Sequence, residues 1–222
     1  MKNITVSDNF LSRWNTVSLG CIECDVIVTA QNKYLWDNII SVSDILRQKI
    51  DIEKVSSLPA INSSRKAYRA FGKDPARYRL SAEALIRRIL KGNDLYQVNN
   101  VVDIVNLISL ETGFSIGGYD SNKIKGNIIL DVGNEDDVYE GIGRGILNID
   151  SLPVLRDEEG AFGSPTSDSE RTNVSLETKR FLMVIFGFGE LNKINSVIDM
   201  AIDLLSEYSD AENITTKIIS HE

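Results

Sequence analysis

Residues 101–110 read VVDIVNLISL, a run so densely apolar that whatever it forms must be covered on all sides. Its length suits a buried helix or a buried strand; Glu111 followed by Gly113 supplies the stop a helix needs, and we read a helix. A core element of this kind requires partners on several flanks. The 222 residues are enough to provide them within one full-sized core.

Those partners differ in texture on the two sides. Upstream, the β-branched run 16–29 reads as a strand, and Leu35, Ile39, Ile40, Val42, Ile45 and Leu46 recur at helical spacing within 32–50. A loop at 57–59 leads to a helix over 63–71, broken by Gly72 and Pro75; Ser81 is placed to cap another, which Gly92 closes. Downstream, the short runs FSIGGYD, GNIILDV, GILNID, LPVLRDEEG and KRFLMVIFGF are separated by Gly, Asp and Asn, the texture of a mostly antiparallel sheet. Residues 191–208 carry a last amphipathic helix and TTKIIS a terminal strand, while Trp14 and Trp36 fall to packing in the N-terminal part. With no internal repeat and no low-complexity linker, the pattern is that of one α+β domain.

Charge is segregated along this chain. Residues 64–91 hold nine Arg or Lys against Asp74 and Glu83, a net +7 in a chain of net −8, so the remainder carries −15. Such a segment offers a positive face to a polyanion. Tyr68, Phe71 and Tyr78 are interleaved with the cations, as a surface that neutralises phosphate and stacks on unpaired bases requires. Arg65, Arg69, Arg77, Arg79, Arg87 and Arg88 are the candidate RNA contacts.

Other classes are poorly supported. The start, MKNITVSDNF, lacks the apolar run of a signal peptide and no window reaches the length of a membrane span, so the expectation is a cytoplasmic protein with no membrane partner. Cys21 and Cys24 sit three apart on one strand and face opposite sides, and no second Cys or His pair completes a zinc site; neither a metal nor a cofactor is expected. Gly141 to Gly145, GIGRG, leads toward a strand rather than a helix, which argues against a phosphate loop. The acidic run 131–140 reads as a solvated loop.

The segment NNVVDIVNLISLETGFSIGGYDSNKIKGNIILD, 99–131, resembles the B3/B4 domain of the bacterial phenylalanyl-tRNA synthetase β chain, whose pattern runs NVVDxTNxxxLExGxPxHxFDxxKIxGxIxV. Asn100, Val101, Val102, Asp103, Asn106, Leu110, Glu111 and Gly113 match it in order, followed by Asp120, Lys123, Ile124 and Gly126. A looser match continues through LRDEEG at 155–160 and VSLET at 174–178, and the resemblance covers about 60–190. It implies a layered sandwich of mixed or antiparallel sheet with helices. Residues 1–60 would add a strand–helix layer and 191–222 a C-terminal helix and strand, all within one domain spanning 1–222. It also implies a stand-alone module that binds the acceptor end of tRNA and hydrolyses mischarged aminoacyl-tRNA in trans, without the modules a complete synthetase needs.

Departures from the pattern bear on that chemistry. Gly117 stands where the pattern has a histidine, Val105 where it has a threonine, and the sole histidine, His221, is expected at a frayed terminus. A Ser-His-Asp set is therefore out of reach. The replacement candidate is GSPTSDSERT, 163–172, near the family's Gly-rich editing loop. Here Ser164, Thr166, Ser167, Ser169 and Arg171 would hold the aminoacyl group or ribose, with Asn106, Gly117 and Gly118 completing the pocket. Asp168 or Glu170 would orient a water toward an ester already activated by its neighbouring ribose hydroxyl. The alternative is a module that keeps the fold without the chemistry and binds RNA, a free amino acid or a protein partner. Neither the amino acid nor the oligomeric state can be read from these residues.

Overall fold

The computed structural model describes residues 1–189 and 191–221. In chain order its elements are β1 (Ile4–Val6), α1 (Asp8–Arg13), β2 (Val17–Asp25), α2 (Lys33–Lys49), α3 (Pro59–Ala70), α4 (Ser81–Leu90), α5 (Asn100–Thr112) and β3 (Ser115–Asp120). There follow β4 (Ile128–Val132), β5 (Glu140–Gly141), β6 (Gly145–Ile146), β7 (Pro153–Asp157), β8 (Gly160–Gly163), β9 (Arg180–Gly187), α6 (Leu191–Ser209) and β10 (Glu212–His221).

Strand β9, RFLMVIFG, is apolar at successive positions because it is buried on both faces. It lies inside an antiparallel sheet of order β10-β2-β9-β3. Phe181, Met183 and Ile185 point to one core, shared with Ile104, Ile108 and Ala201 of α5 and α6. Leu182, Val184 and Phe186 point to the other, shared with Ile128 and Leu130 of β4, Leu155 of β7 and Phe162 of β8. The second sheet, β1-β4-β7-β8, is mixed, since β1 runs parallel to β4 and the rest are antiparallel. The result is three layers, helices on sheet on sheet, an α+β sandwich. Cys21 and Cys24, both free and buried, fall into different cores.

Residues 1–60 do not make a layer of their own. β1 enters one sheet, β2 the other, and α2 the helix layer, while β10 closes the edge beside β2. His221 is therefore held in a strand opposite Val17 rather than at a frayed end. Helix α3 opens earlier than its apolar spacing suggests because Pro59, with no N–H to leave unpaired, occupies its first turn. Ser81 is the first helical residue of α4, not its cap, and its N–H bonds the Pro165 carbonyl at 2.8 Å. The run 131–140 is only partly a solvated loop: Asp131 lies in β4, Tyr139 is buried, and Asp137 is gripped by both terminal nitrogens of Arg156. Of 145–150, only Gly145 and Ile146 form a strand, paired with β5 as a small hairpin.

The residues that carry the pattern of 99–131 are joints. Asn100 is fully buried; its amide donates to the carbonyls of Ile27 and Tyr208 and accepts from the Thr29 N–H, tying α5 to the segment after β2 and to the end of α6. Buried Asp103 accepts from the Trp36 indole at 2.7 Å. Asp120 accepts from the Thr178 hydroxyl, and the Lys123 ammonium holds both oxygens of Asn173. These bonds fix how α5, β3 and the segment 173–178 meet, and that meeting point is a cavity.

Candidate functional site

The cavity measures about 330 Å³. Its apolar wall comes from Val102 and Val105 of α5, Leu85 of α4 and Ile116 of β3; its polar wall comes from Asn106, Ser164, Ser167 and Asp168. A layered fold leaves space here because Gly118 has no side chain to fill the gap between β3 and α5, where a Cβ would press on Phe181 and Val105. Asn106, Gly118, Ser164, Ser167 and Asp168, singled out in the sequence, thus line one concavity.

The loop after β8 is braced from within. The Ser164 hydroxyl accepts from the N–H groups of Thr166 and Ser167 and donates to the Ser167 carbonyl. Buried Tyr139 donates its hydroxyl to the same carbonyl at 2.6 Å, and buried Tyr68 meets the Thr166 hydroxyl at 2.9 Å. Across the mouth, the Ile142 N–H of the β5–β6 hairpin bonds the Asp168 carbonyl. A loop so fixed holds its side chains in place before any ligand arrives.

Among the described residues, Asp168 is the only charged one lining this cavity. One carboxylate oxygen accepts from the Tyr119 hydroxyl at 2.8 Å and the other from the Gly118 N–H at 3.4 Å. Among the described residues no cation pairs with it, so burial dominates and pushes its pKa up to about 7 against the pull of those hydrogen bonds. Tyr119 reaches it from the opposite face of β3. The approach requires glycine at 117 and at 163, since a Cβ at either position would strike the Tyr119 ring and hydroxyl. Gly117 accordingly faces the core between the two sheets and not the cavity. Burial and the nearby Asp168 charge push the Tyr119 phenol far up, so it donates as a neutral hydroxyl.

The remaining candidates lie elsewhere. The 3₁₀ turn Glu170–Thr172 redirects the chain, and Ser169, Glu170 and Arg171 line an outward groove. There the Glu170 carboxylate accepts from the Gly143 N–H and the Asn173 amide. Arg171 clamps Asp157 with both terminal nitrogens and also reaches Glu159. Thr166 faces a different concavity, beside Arg77 and Arg144. Sequence reasoning missed Tyr119; its signal is the pair of glycines, one two residues before it and one at the end of β8.

The basic segment divides. Arg65 and Arg87 both grip Glu83, which is 1% exposed, at 2.8 Å, and Arg87 also donates to the Ile52 carbonyl. Arg88 donates to the Asp94 carbonyl and stacks over Tyr96. Arg69, Arg77 and Arg79 are exposed and hold no carboxylate among the described residues. Tyr68 and Phe71 are core residues, so of the three interleaved aromatics only Tyr78 keeps a partly exposed ring. Exposed Lys66 and Lys91 likewise hold no carboxylate among the described residues, whereas Lys73 pairs with Asp150.

A family model described as the B3/4 domain matches residues 63–210. The chain belongs to this family. The match takes in α4, α5, β3, the 163–172 loop and hence the whole polar wall of the cavity. This B3/4 chain is 31% identical over 91 residues to a phenylalanine--tRNA ligase beta subunit of Bartonella henselae, across 40% of its own length and 11% of the relative's. A second such subunit, from Protochlamydia amoebophila, is 31% identical over 102 residues, 41% of this chain and 13% of the relative. The B3/4 chain thus spans only a small part of the curated relatives it matches. Among solved structures it resembles an N-terminal fragment of the phenylalanyl-tRNA synthetase beta subunit from Pyrococcus horikoshii, with TM-score 0.50 and 15% identity over 96% of this chain and 50% of that one. That likeness supports the fold. Among the described residues, no helix is long and apolar enough to cross a membrane.

Proposed function

We propose that this B3/4 protein binds the acceptor end of tRNA and hydrolyses the ester of a mischarged aminoacyl-tRNA in trans, in the cytoplasm. The observation that carries the reading is the Asp168 carboxylate, uncompensated by any cation among the described residues, on the polar wall of a cavity otherwise lined by neutral side chains. A carboxylate with a pKa of about 7 is half ionised near neutrality, where a general base is most effective. In the proposed reaction Asp168 takes a proton from water as the water oxygen bonds to the acyl carbon. The ester C–O bond then breaks, the ribose oxygen leaves as an alcohol carrying the returned proton, and Asp168 is regenerated. Asn106 and Ser167 orient the acyl group, and Val102, Val105 and Ile116 receive its side chain. The hydroxyl of Tyr119, brought in where the family pattern would place a histidine side chain at 117, keeps the carboxylate aimed. Exposed Arg69, Arg77 and Arg79 meet the phosphates, with Arg88 beside them.

The reading is tested by incubating the protein with a panel of aminoacyl-tRNAs and scoring amino acid release. Release for at least one mismatched pair is expected, rising with pH through about 7 as Asp168 ionises. A flat zero over the panel, with tRNA binding intact, would instead favour a binding module that has lost the chemistry. That second reading draws on Glu170, which is turned to Gly143 and Asn173 and leaves the cavity with a single acid.

A further inference from the structure

Ser164 lines a second concavity besides the one holding Asp168. This neighbour, about 230 Å³, is walled by Arg77, Tyr78, Arg144 and Thr166 over an apolar floor that includes Leu147 and Leu152. Its charge is opposite: among the described residues, Arg77 and Arg144 are the only charged ones lining it. Elsewhere in this acidic chain, Arg47, Arg65, Arg87, Arg156, Arg171 and Arg180 each hold a carboxylate, whereas Arg69 and Arg79 hold none among the described residues. Arg77 and Arg144 are exposed and hold none among the described residues. Two guanidinium groups left facing one small hollow repel each other until an anion enters between them, and their planar forks suit the oxygens of a phosphate.

Both are presented by well-formed turns. Asp74 accepts the N–H groups of Ala76, Arg77 and Tyr78, and Arg144 rides on the β5–β6 hairpin between Gly143 and Gly145, whose φ angles of 64° and 68° only glycine adopts at no cost. Between them the Tyr78 ring has the Arg77 guanidinium 5.6 Å and the Lys73 ammonium 5.0 Å from its centroid. The Lys73 ammonium is paired with Asp150, whereas the Arg77 guanidinium is free of any carboxylate among the described residues, and a partly exposed aromatic ring beside such a guanidinium is a platform for a base.

We infer that this second concavity is a nucleoside monophosphate subsite, in which Arg77 and Arg144 take the phosphate and Tyr78 stacks on the base. Ser164 partitions it from the Asp168 cavity. The two hollows together complement a ligand that carries an ammonium-bearing acyl group at one end and an anionic nucleotide at the other. This assignment rests on the reading of the Asp168 cavity as an aminoacyl site, but its test does not.

Binding of adenosine 5′-monophosphate, adenosine and inorganic phosphate to the intact chain is measured by NMR titration at low salt. The monophosphate is expected to bind saturably and adenosine about tenfold or more weakly, with the Arg77→Ala/Arg144→Ala pair losing a similar factor. Lys49→Ala, an exposed cation far along α2, serves as the control for net charge. A short single-stranded RNA with a free 3′ end displaces the monophosphate if the subsite serves an RNA terminus; failure to displace assigns it to the free nucleotide. Equal binding of monophosphate and adenosine, no saturable binding at all, or a double variant that binds as the wild type does would overturn the assignment. Loss of amino acid release with monophosphate binding intact would sink the hydrolytic reading alone.

Discussion

Glu83 and Asp168 are two carboxylates largely withdrawn from water near the same corner of the fold, and they have been treated in opposite ways. Glu83 is enclosed by Arg65 and Arg87, both within 2.8 Å, one from α3 and one a helical turn along α4. Asp168 has a phenol and a peptide N–H and no cation among the described residues. A neutralised carboxylate surrounded by fixed donors joins helices; one left without a counter-charge, at the edge of a cavity, still has affinity for a proton or an ammonium group. The difference teaches that burial alone does not mark a working acid. What its partners leave unsatisfied does.

The largest test of this contrast is Asp168→Asn. The amide keeps an oxygen for the Tyr119 hydroxyl but cannot accept a proton, so amino acid release should fall by roughly 10² to 10⁴-fold. Stability should move the other way. The folded-state pKa of about 7 lies above the ordinary value of 3.8, so the folded protein holds this proton more tightly, and the stability it confers is fully present below 3.8 and lost as pH rises through 7. The neutral variant should therefore melt at a higher temperature than the wild type at pH 8, and the gap should close toward pH 4. An equal difference at both pH values would mean that Asp168 is not the titrating group.

Glu83→Ala should do the reverse, leaving Arg65 and Arg87 half-buried without their partner. Loss of about 3–5 kcal/mol of stability is expected by chemical denaturation. If the fold survives, the denaturant midpoint carries the whole effect, and the pH dependence of amino acid release should be unmoved.

How far these two acids could be told apart beforehand depends on which partners are near in sequence. Glu83 and Arg87 are four apart on a helix, a spacing that announces an ion pair; Arg65 comes from another helix, so counting charges over 64–91 overestimates the free surface. Most of the helices and strands follow from periodicity, because sheet alternation and helical stripes are local properties, while their layering was implied by the resemblance to the family pattern, and the short β1 and α1 left no periodic signal. Five of the cavity residues were legible for a related reason: Asn106 and Gly118 lie on elements that the motif places next to each other, and Ser164, Ser167 and Asp168 share one loop. Glu170 was not distinguishable from Asp168. The 3₁₀ turn that separates their directions is set by the Ser169 hydroxyl, which accepts from the Arg171 N–H, and nothing in composition dictates it. Tyr119 required knowing that β3 and β8 lie close enough for two glycines to admit one ring.

Tyr119→Phe sharpens the comparison by removing the hydroxyl that distinguishes the setting of Asp168 while leaving the ring. That hydrogen bond holds the Asp168 pKa down against burial, so its loss should carry the pKa above 7. The pH–rate limb should shift to higher pH, with release at neutral pH reduced about tenfold and the high-pH plateau largely kept. A drop equal at every pH would make Tyr119 a packing residue. Gly163→Ala, which pushes on the same hydroxyl, should displace the limb in the same direction.

The smallest effects are expected where cations face water, and they separate the two halves of the basic segment. Arg79 is exposed and holds no carboxylate among the described residues, whereas Arg65 is tied to Glu83. If free guanidinium groups are what a tRNA meets, Arg79→Ala should weaken binding only a few-fold and make the plot of log affinity against log salt shallower by up to about 0.9, with the melting temperature unchanged. Arg65→Ala should lower the melting temperature and leave the salt slope nearly as it was, because a charge already neutralised by Glu83 releases no counterion on binding. Filter binding across a salt series, with thermal melts of the same preparations, reads both quantities. Identical slopes for the two variants would mean that the ion pair around Glu83 opens when RNA arrives, and the line drawn between a structural carboxylate and a functional one would then run through Asp168 alone.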